Sequence, residues 1–357
     1  MDMEPSSLSF LKSLLDSPGP SSFESAPARL WRAEGEKIAD LVRADHGGNS
    51  YATLNREGKP RIMFAGHIDE IGVMVTHIDD EGFVFFDTIG GWDSQVFVGQ
   101  RVLLLGHAGL VSGVIGKKAI HLMEKEDRDK VSKTTDLWID IGAASKTEAN
   151  ARIRVGDAGV LSAGVQEFPG GRLVSRSLDN RIGAFVVLEA LRLLGRERPT
   201  ASVTAVATAQ EEIAYTGGGA RISATGLEAD IAIVVDVTHA TDYPGIEKKH
   251  HGDVKLGGGP VLSRGSAINN GVFQLLVEAA EEEKIPYMLQ AAPRWTGTDA
   301  DAIFTSHRGV ATGLVSVPLR YMHSPNEMIA LSDVEQAARI LAAFARKVTQ
   351  ETDLVPR

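Results

Sequence analysis

The feature of this sequence that most restricts its fold is the alternation of short apolar runs with amphipathic segments. Four apolar runs have the length of buried strands: "RIMFAGH", "ASVTAVATA", "ADIAIVVDV" and "GVATGLVSV". The segments "SLDNRIGAFVVLEALRLL" and "NNGVFQLLVEAAEEEKI" have helical periodicity. Buried strands that alternate with helices form a mostly parallel sheet covered on both faces. The sequence therefore predicts an α/β fold with helices on both faces of the sheet.

Further helices are expected at both ends of the chain. Amphipathic patterns at Leu8–Leu15 and Ala26–Ala44 predict two helices near the start. The segment "SDVEQAARILAAFARKV" predicts a closing helix, with Ser332 or Asp333 as its N-cap.

A segment of different character interrupts the α/β pattern. Residues 71–163 contain period-two strands, "GVMVTHI", "GFVFFDT", "QRVLLLG" and "DLWIDIG", with glycine-rich turns. We predict a small β-barrel-like domain at 71–163, inserted into a discontinuous α/β domain made of residues 1–70 and 164–353. The charged stretch "EKEDRDKVSKTTD" within it is expected to be a solvated loop, and residues 354–357, "LVPR", resemble a remnant of an expression tag.

Composition excludes several classes of function. The chain has 47 acidic and 37 basic residues and a formal charge of −10, so nucleic acid is not an expected partner. It has neither an export signal nor an apolar run of about 18 residues, so we expect a cytoplasmic protein without membrane contact. Because it contains no cysteine, any metal must be held by His, Asp and Glu.

Polar residues of the metal-binding types follow the predicted strands. In an open parallel sheet, ligands bind at the carboxyl ends of the strands. We expect side chains at the ends of four strands and before one helix to meet at this edge: His67, Asp69, Glu211, Glu212, Asp236, His323 and Asp179.

Each of these residues also has a simpler explanation. His67 could be a hydrogen-bonded loop residue, Asp179 an N-cap and Asp236 a turn residue. His323 could stiffen a turn, and Glu211 and Glu212 could lie in a solvated loop. A single metal site accounts for all of them at once, since a divalent cation offsets the repulsion between the paired glutamates.

The number of candidate ligands suggests two ions, with one carboxylate bridging them, because a catalytic zinc takes about three protein ligands. Asp69 is expected to hold the second nitrogen of the His67 ring rather than to bind metal. Neighbouring residues of an extended chain point in opposite directions, so one of Glu211 and Glu212 should bind metal and the other should face the water. A carboxylate base beside an activated water is typical of hydrolases.

The motifs "GHIDEIGVMV", "SLDNRIGA", "TAQEEIA", "VVDVTHATDYPG", "GTDADAI" and "MHSPNEMI" occur together and in this order. The chain thereby resembles the tetrahedral (TET) aminopeptidases, or glutamyl aminopeptidases, of metallopeptidase family forty-two, over residues 5–350. The resemblance implies a zinc-peptidase-like fold. It also implies two divalent metal ions per subunit, zinc in the first place, with cobalt or manganese as alternatives.

The resemblance assigns a role to each candidate residue. His67 and Asp236 would bind one ion, and Glu212 and His323 the other. Asp179 would bridge both ions, Asp69 would orient His67, and Glu211 would act as general base and acid.

The implied reaction is the removal of N-terminal residues from short peptides by a water that bridges the ions. The inserted domain would mediate dimerisation, and dimers would assemble into a tetrahedral homododecamer. The segment from Glu124 to Asp136 would then either meet a neighbour or a channel, or remain solvated.

The sequence departs from the family pattern at two places. "QEEIAYTGGGA" is two residues longer than usual after the paired glutamates and lacks the usual arginine, and Asn180 stands where an acid is common. We expect Asn180 to change the metal preference rather than to abolish activity.

Three alternatives to an aminopeptidase remain open. The chain could be an endoglucanase-type hydrolase, as some relatives are labelled, a deacylase, or a non-catalytic shell protein that binds metal. A glycosidase needs two carboxyl groups flanking the bond but neither histidines nor metal, so the ligand set disfavours it. Met322, Tyr321 and Ile246 are candidate neighbours of the substrate pocket. The sequence predicts neither the preferred N-terminal residue nor the native metal.

Overall fold

The computed structural model describes residues 3–214 and 217–356; Tyr215 and Thr216 of the longer loop, and Arg357 of the terminal "LVPR", lie outside the described residues. The helices in this part of the chain are α1 (Pro5–Asp16), α2 (Ser25–Gly35), α3 (Lys146–Asn150), α4 (Leu178–Leu194), α5 (Gly218–Leu227), α6 (Lys248–His251), α7 (Asn270–Glu282), α8 (Ala300–Ile303) and α9 (Leu331–Lys347).

The strands up to the end of the inserted segment are β1 (Leu41–Ala44), β2 (Ser50–Leu54), β3 (Arg61–His67), β4 (Gly72–Ile78), β5 (Val84–Ile89), β6 (Arg101–Gly106), β7 (Gly109–Gly116), β8 (Trp138–Asp140) and β9 (Ala158–Leu161). Those that follow are β10 (Gln166–Phe168), β11 (Arg172–Ser175), β12 (Ser202–Thr208), β13 (Ile231–His239), β14 (Val261–Gly265), β15 (Met288–Ala292), β16 (Ala311–Leu319) and β17 (Glu327–Ala330).

The main sheet has eight strands in the order β1-β2-β12-β3-β13-β16-β14-β15. Its four central strands, β12, β3, β13 and β16, run parallel to one another. In the described part of the chain, the antiparallel pairs of this sheet lie toward its sides, at β1 with β2, β2 with β12, and β14 with β16. The prediction of a mostly parallel sheet is confirmed, and its parallel centre brings four carboxyl ends to one edge.

Both faces of this sheet are buried, as the apolar runs predicted. Side chains alternate along a strand, so Ile62 and Phe64 of β3 pack into a core shared with α1, α2, α4, α7 and α9. Met63 and Ala65 of the same strand pack on the other face, into a core shared with α5 and α8. Continuous burial of a strand therefore follows from helices on both sides.

The inserted segment forms a closed antiparallel barrel in the order β4-β5-β8-β7-β6-β9, with its own apolar core. A small sheet, β10-β11-β17, lies outside both and was not predicted. Between Glu124 and Asp136 the chain has two short 3-10 turns and is largely exposed.

Two predictions about helices were wrong. The helix predicted for Ala26–Ala44 ends at Gly35, and residues Leu41–Ala44 form strand β1 instead, since they pair antiparallel with β2. Neither Ser332 nor Asp333 caps α9: the helix begins at Leu331 with Ala330 in the N-cap position. The Asp333 carboxylate instead accepts the backbone N–H groups of Gly257 and Gly259.

Among the described residues, no helix combines the length and the apolar character needed to span a bilayer.

Candidate metal centre

The predicted ligands converge at the carboxyl edge of the four central strands. His67 is the last residue of β3, and Asp236 lies within β13, which continues to His239 rather than ending at Asp236 as expected. Glu211 and Glu212 follow β12, and His323 follows β16. Because these strands are parallel neighbours, residues far apart in sequence become neighbours in space.

Asp179 reaches the same edge through the close approach of α4 to the sheet. A Cβ atom on Gly66 would lie 2.3 Å from the carbonyl carbon of Gly183, and one on Gly183 would lie 2.4 Å from the carbonyl oxygen of Val235. Glycine is therefore required at both contacts. Asp179 is not an N-cap, since Ser177 holds that position and Asp179 has non-helical backbone angles.

Asp179 lies between the two histidines. The Nε2 atom of His67 is 3.2 Å from Asp179 Oδ1, and the Nε2 atom of His323 is 3.4 Å from Asp179 Oδ2. His67 Nε2 also lies 3.9 Å from Asp236 Oδ1, and His323 Nε2 lies 3.4 Å from Glu212 Oε2. The five side chains thus form two groups that share the Asp179 carboxylate.

Asp69 connects His67 to the segment that carries the glutamates. Its Oδ1 atom is 3.4 Å from His67 Nδ1. The same carboxylate accepts the backbone N–H groups of Glu211, at 3.1 Å, and Glu212, at 3.2 Å. The Asp69 side chain is completely buried, so these hydrogen bonds, rather than water, stabilise its negative charge.

Glu211 and Glu212 do not lie on an extended chain, so the premise used to separate their directions was wrong. β12 ends at Thr208, Gln210 has a positive φ of 63°, and a turn follows. The two side chains nevertheless approach different histidines: Glu211 Oε2 is 3.8 Å from His67 Nε2, and Glu212 Oε2 is 3.4 Å from His323 Nε2.

Sequence reasoning missed Glu327, a buried residue of β17. One of its carboxylate oxygens accepts the N–H of Asp179, at 3.0 Å, and the other accepts the N–H of His323, at 2.9 Å. It therefore fixes the backbone of two candidate ligands at once. Its position in "HSPNEM", four residues after His323, was the available signal.

Two further residues support the site without having been predicted. Asp299, from "GTDADAI", is buried and accepts a hydrogen bond from the hydroxyl of Thr208 at the end of β12. Burial raises the pKa of Asp299 to about 6. Ser21, from the segment that joins α1 and α2, donates its hydroxyl to Asp69 Oδ2.

The cluster contains more carboxyl groups than positively charged side chains that could neutralise them. Burial raises the pKa of Glu211, Glu212 and Asp236, and neighbouring carboxylates raise it further. Burial opposes the charging of His323, but Asp179 and Glu212 raise the pKa of this imidazole to about 11. Burial likewise opposes ionisation of Asp179, but both histidines lower its pKa overall.

This donor set fits divalent cations. One ligand atom each from His67, Asp179 and Glu212 lie within 4.8 Å of one another. The Oε1 atom of Glu212 is buried and has no hydrogen-bond partner among the described residues. An unpartnered buried carboxylate oxygen is costly unless a cation faces it. Imidazole and carboxylate together suit zinc, cobalt or manganese.

The cluster opens into a cavity of about 310 Å³. Besides the candidate ligands and Glu211, its lining residues are Val237, Thr238, His239, Thr296, Gly297, Thr298 and Met322. Met322 was expected near the pocket, whereas Tyr321 and Ile246 are not among the lining residues. The volume suits a small side chain or a short peptide segment rather than a folded chain.

Both polar atoms of the Asn180 side-chain amide form hydrogen bonds with the backbone. Its Nδ2 atom donates to the carbonyl of Val235, at 2.8 Å, and its Oδ1 atom accepts the N–H of Gly183, at 2.9 Å. A carboxylate could supply only the second of these bonds. Asn180 thus joins the start of α4 to β13 without adding charge to an already acidic site.

The fold and the site together define a metallopeptidase of the α/β class. Residues 48–340 match the model of the M42 glutamyl aminopeptidase family. The chain belongs to this family, and it is a hydrolase that acts on peptide bonds.

Similar proteins cover nearly the whole chain. The lysyl aminopeptidase of Pyrococcus furiosus is 32% identical over 344 residues, which are 95% of this chain and 96% of that protein. The crystal structure of a TET aminopeptidase from the marine sediment archaeon Thaumarchaeota archaeon SCGC AB-539-E09 superposes with a TM-score of 0.92 at 33% identity, covering 97% of this chain and 98% of that one.

A third relative is the TET1 peptidase of Pyrococcus horikoshii, described as able to assemble into a tetrahedron or a large octahedral shell. It has a TM-score of 0.85 at 30% identity and covers 96% of this chain and 100% of that one. The resemblance found in the motifs is confirmed.

Proposed function

We propose that this chain is a dinuclear aminopeptidase that removes N-terminal residues from short peptides in the cytoplasm. The observation that carries the proposal is the shared Asp179 carboxylate. Each of its oxygens faces a different histidine, at 3.2 and 3.4 Å, and Glu211 lies beside the first histidine. This is the arrangement expected of residues that hold two cations through one bridging ligand.

The assignment of ligands follows these contacts. His67, Asp179 and Asp236 would hold one ion, and Asp179, Glu212 and His323 the other. When bound, two divalent ions, zinc in the first place, polarise the scissile carbonyl and lower the pKa of the attacking water.

Glu211 is proposed as the general base and acid. Its side chain lines the cavity and is partly accessible, and burial raises its pKa, which favours a carboxyl group that can hold a proton between two steps. Glu211 takes a proton from the water as the new carbon–oxygen bond forms. It then passes that proton to the amine nitrogen as the carbon–nitrogen bond breaks.

Asp69 is proposed to orient the reacting groups rather than to bind metal. By facing Nδ1 of His67, it leaves Nε2 free for an ion. By accepting the N–H groups of Glu211 and Glu212, it holds the base and a ligand in fixed relation to that imidazole.

The barrel is proposed to mediate dimerisation, and dimers to assemble into a tetrahedral dodecamer. Large apolar side chains are exposed on β7 and the segment after it, including Leu110 at 60%, Ile120 at 54% and Leu122 at 70% exposure. Exposed apolar patches of this kind mark association surfaces. Light scattering of Leu122→Asp should show smaller particles than the parent protein, and an unchanged mass would contradict this role of the barrel.

Replacing Glu211 by Gln tests the catalytic proposal. The variant removes the proton acceptor but keeps the size of the side chain, so metal content and assembly should match the parent. Turnover of a peptide with a free N-terminus should fall by about 10²-fold or more. Unchanged turnover would contradict the role of Glu211, and loss of metal would make it a ligand instead.

The remaining alternatives predict different results. An endoglucanase-type enzyme would keep its activity after exhaustive chelation, whereas the proposed enzyme would lose it. A deacylase would prefer an acetylated peptide over the free amine. A non-catalytic shell protein would show no turnover in any metal form. A panel of aminoacyl amides assayed with zinc, cobalt and manganese measures the preferred residue and ion.

A further inference from the structure

A short segment outside the candidate motifs contacts the site directly. The residues between α1 and α2 cross the carboxyl edge of the sheet, where Pro20 forms a β-bridge with Glu70 and the N–H of Ser21 donates to the carbonyl of Glu70 at 3.1 Å. Ser21 also bonds the Asp69 carboxylate through its hydroxyl. The segment is thereby fixed against the loop that carries His67 and Asp69.

Glu24, at the end of this segment, contacts the loop of the general base. It is buried, at 6% exposure. Its Oε1 atom accepts the N–H of Ser22, at 2.7 Å, and the N–H of Gln210, at 3.2 Å. The Gln210 side chain in turn donates to the hydroxyl of Ser22 at 3.0 Å. Two independent contacts therefore join the segment to the residue that precedes Glu211.

Both residues held by Glu24 have unusual backbone angles. Ser22 has a φ of 73° and Gln210 a φ of 63°, in the left-handed region that non-glycine residues rarely adopt. Such a conformation persists only where the surrounding contacts impose it. At Gln210 these contacts come from Glu24 and Ser22, and the conformation of Gln210 determines the direction in which the chain enters Glu211.

We propose that Glu24 is a positioning residue for catalysis, which fixes Gln210 in its left-handed conformation and so aims the carboxylate of Glu211 into the cavity. The inference rests on the proposed role of Glu211. Glu24 does not line the cavity, and it makes no hydrogen bond to the candidate ligands among the described residues. It acts on Glu211 through Ser22 and the backbone of Gln210.

The test compares three substitutions of Glu24 in the metal-loaded protein. Glu24→Ala removes the acceptor and should lower kcat by about 10²-fold, since a base displaced by about 1 Å loses that much. KM should stay close to the parent value, because groups that bind substrate equally in ground and transition states are untouched. Glu24→Asp is one methylene shorter and should lose kcat as well. Glu24→Gln keeps an acceptor oxygen and should restore most of kcat.

A matched control separates positioning from stability. Asp333 is also a buried acid whose carboxylate accepts two backbone N–H groups, but it lies at the start of α9, outside the cavity. Asp333→Ala should lower the thermal unfolding midpoint while kcat, measured below that midpoint, is retained. Metal content, measured by elemental analysis, should equal the parent value in every Glu24 variant.

A double substitution gives the decisive result. If Glu24 acts through Glu211, adding Glu24→Ala to Glu211→Gln should cause no further loss of the residual kcat, because the two residues act as one unit. Losses that multiply, or a parent-like kcat in Glu24→Ala, would overturn the inference. Parent-like turnover in Glu211→Gln alone would instead overturn the proposed function.

Discussion

His67 and His323 approach different oxygens of one carboxylate, that of Asp179, although 256 positions separate them in the chain. Each imidazole has a further acid near its Nε2 atom, Asp236 for His67 and Glu212 for His323. The shared carboxylate couples the two halves of the site, so a change at Asp179 should affect both.

The first prediction concerns metal content. Asp179→Asn removes the negative charge that both proposed ion sites share and replaces one of its two oxygens by an amide nitrogen. Elemental analysis should therefore find fewer ions than in the parent, with both positions weakened. His239→Gln is the control: the His239 imidazole lines the same cavity but makes no hydrogen bond or ion pair with the described residues. It should retain the full metal content. Parent-like metal content in Asp179→Asn would refute a bridging role.

The second prediction concerns Glu327, which touches no proposed ion yet holds the backbone of two ligands. Glu327→Gln would place an amide N–H against one of the two backbone N–H groups that the carboxylate now accepts. Metal affinity, measured by competition with a chelating dye, should fall by about 10- to 100-fold. Glu278→Gln changes an exposed acid that pairs with Lys347 and should leave that affinity unchanged. Equal affinities in the two variants would mean that the ligands keep their places without Glu327.

The third prediction concerns Arg181, which is completely buried. Its guanidinium bonds Glu70 Oε1 at 2.8 Å, the carbonyl of Ile68 at 3.1 Å and that of Leu14 at 2.9 Å. It thereby ties α1 to the loop after β3. Arg181→Met removes the donor of the two carbonyls and one of the two guanidinium partners of Glu70, which keeps Arg176 as the other. The variant should destabilise the fold by about 3–5 kcal/mol.

The matched control for Arg181 is Arg198, whose ion pair with Asp40 is exposed. Arg198→Met should cost less than about 1 kcal/mol. Thermal unfolding midpoints measured at one protein concentration compare the two variants. A similar shift in both would show that the buried contacts of Arg181 contribute no more than a surface ion pair.

The fourth prediction concerns the pH dependence of stability at Asp45. Burial alone would raise the pKa of this carboxyl, but hydrogen bonds from Tyr51, Asn49 and the N–H of Gly47 lower it overall. A lowered pKa in the folded state stabilises the protein above the unfolded-state pKa of about 3.9, and this contribution is lost as the pH falls through the folded-state value.

Asp45→Asn should therefore destabilise the protein at pH 7, by about 1–2 kcal/mol. The difference from the parent should shrink as the pH is lowered toward and below 4. Urea unfolding at a series of pH values measures it. A difference that stays constant with pH would show that the charge of Asp45 is not what its hydrogen bonds stabilise.

Much of the architecture could be predicted because burial leaves a local signal. The runs that became β3, β12, β13 and β16 are mostly apolar, since both faces of each strand are covered. Predictions failed where local pattern and tertiary pairing disagree. Leu41–Ala44 continues a helical pattern, yet it forms β1 because β2 offers it backbone partners. Asp333 has the residue type of a helix cap but bonds the loop at Gly257 and Gly259 instead.

The candidate site, like the fold, could be predicted from the sequence only in part. By itself, the sequence determined the residue types of the candidate ligands and the edge of the sheet at which they lie. Both follow from local information, namely the chemistry of the His, Asp and Glu side chains and the positions at which the strands end. Only the tertiary structure decided which oxygen faces which histidine. Only the tertiary structure showed that Glu327, Asp299, Ser21 and Glu24 surround them. These contacts join backbone and side-chain groups from segments that are distant in the sequence. Such a contact depends on tertiary packing, so the residues around either partner give no signal that predicts it.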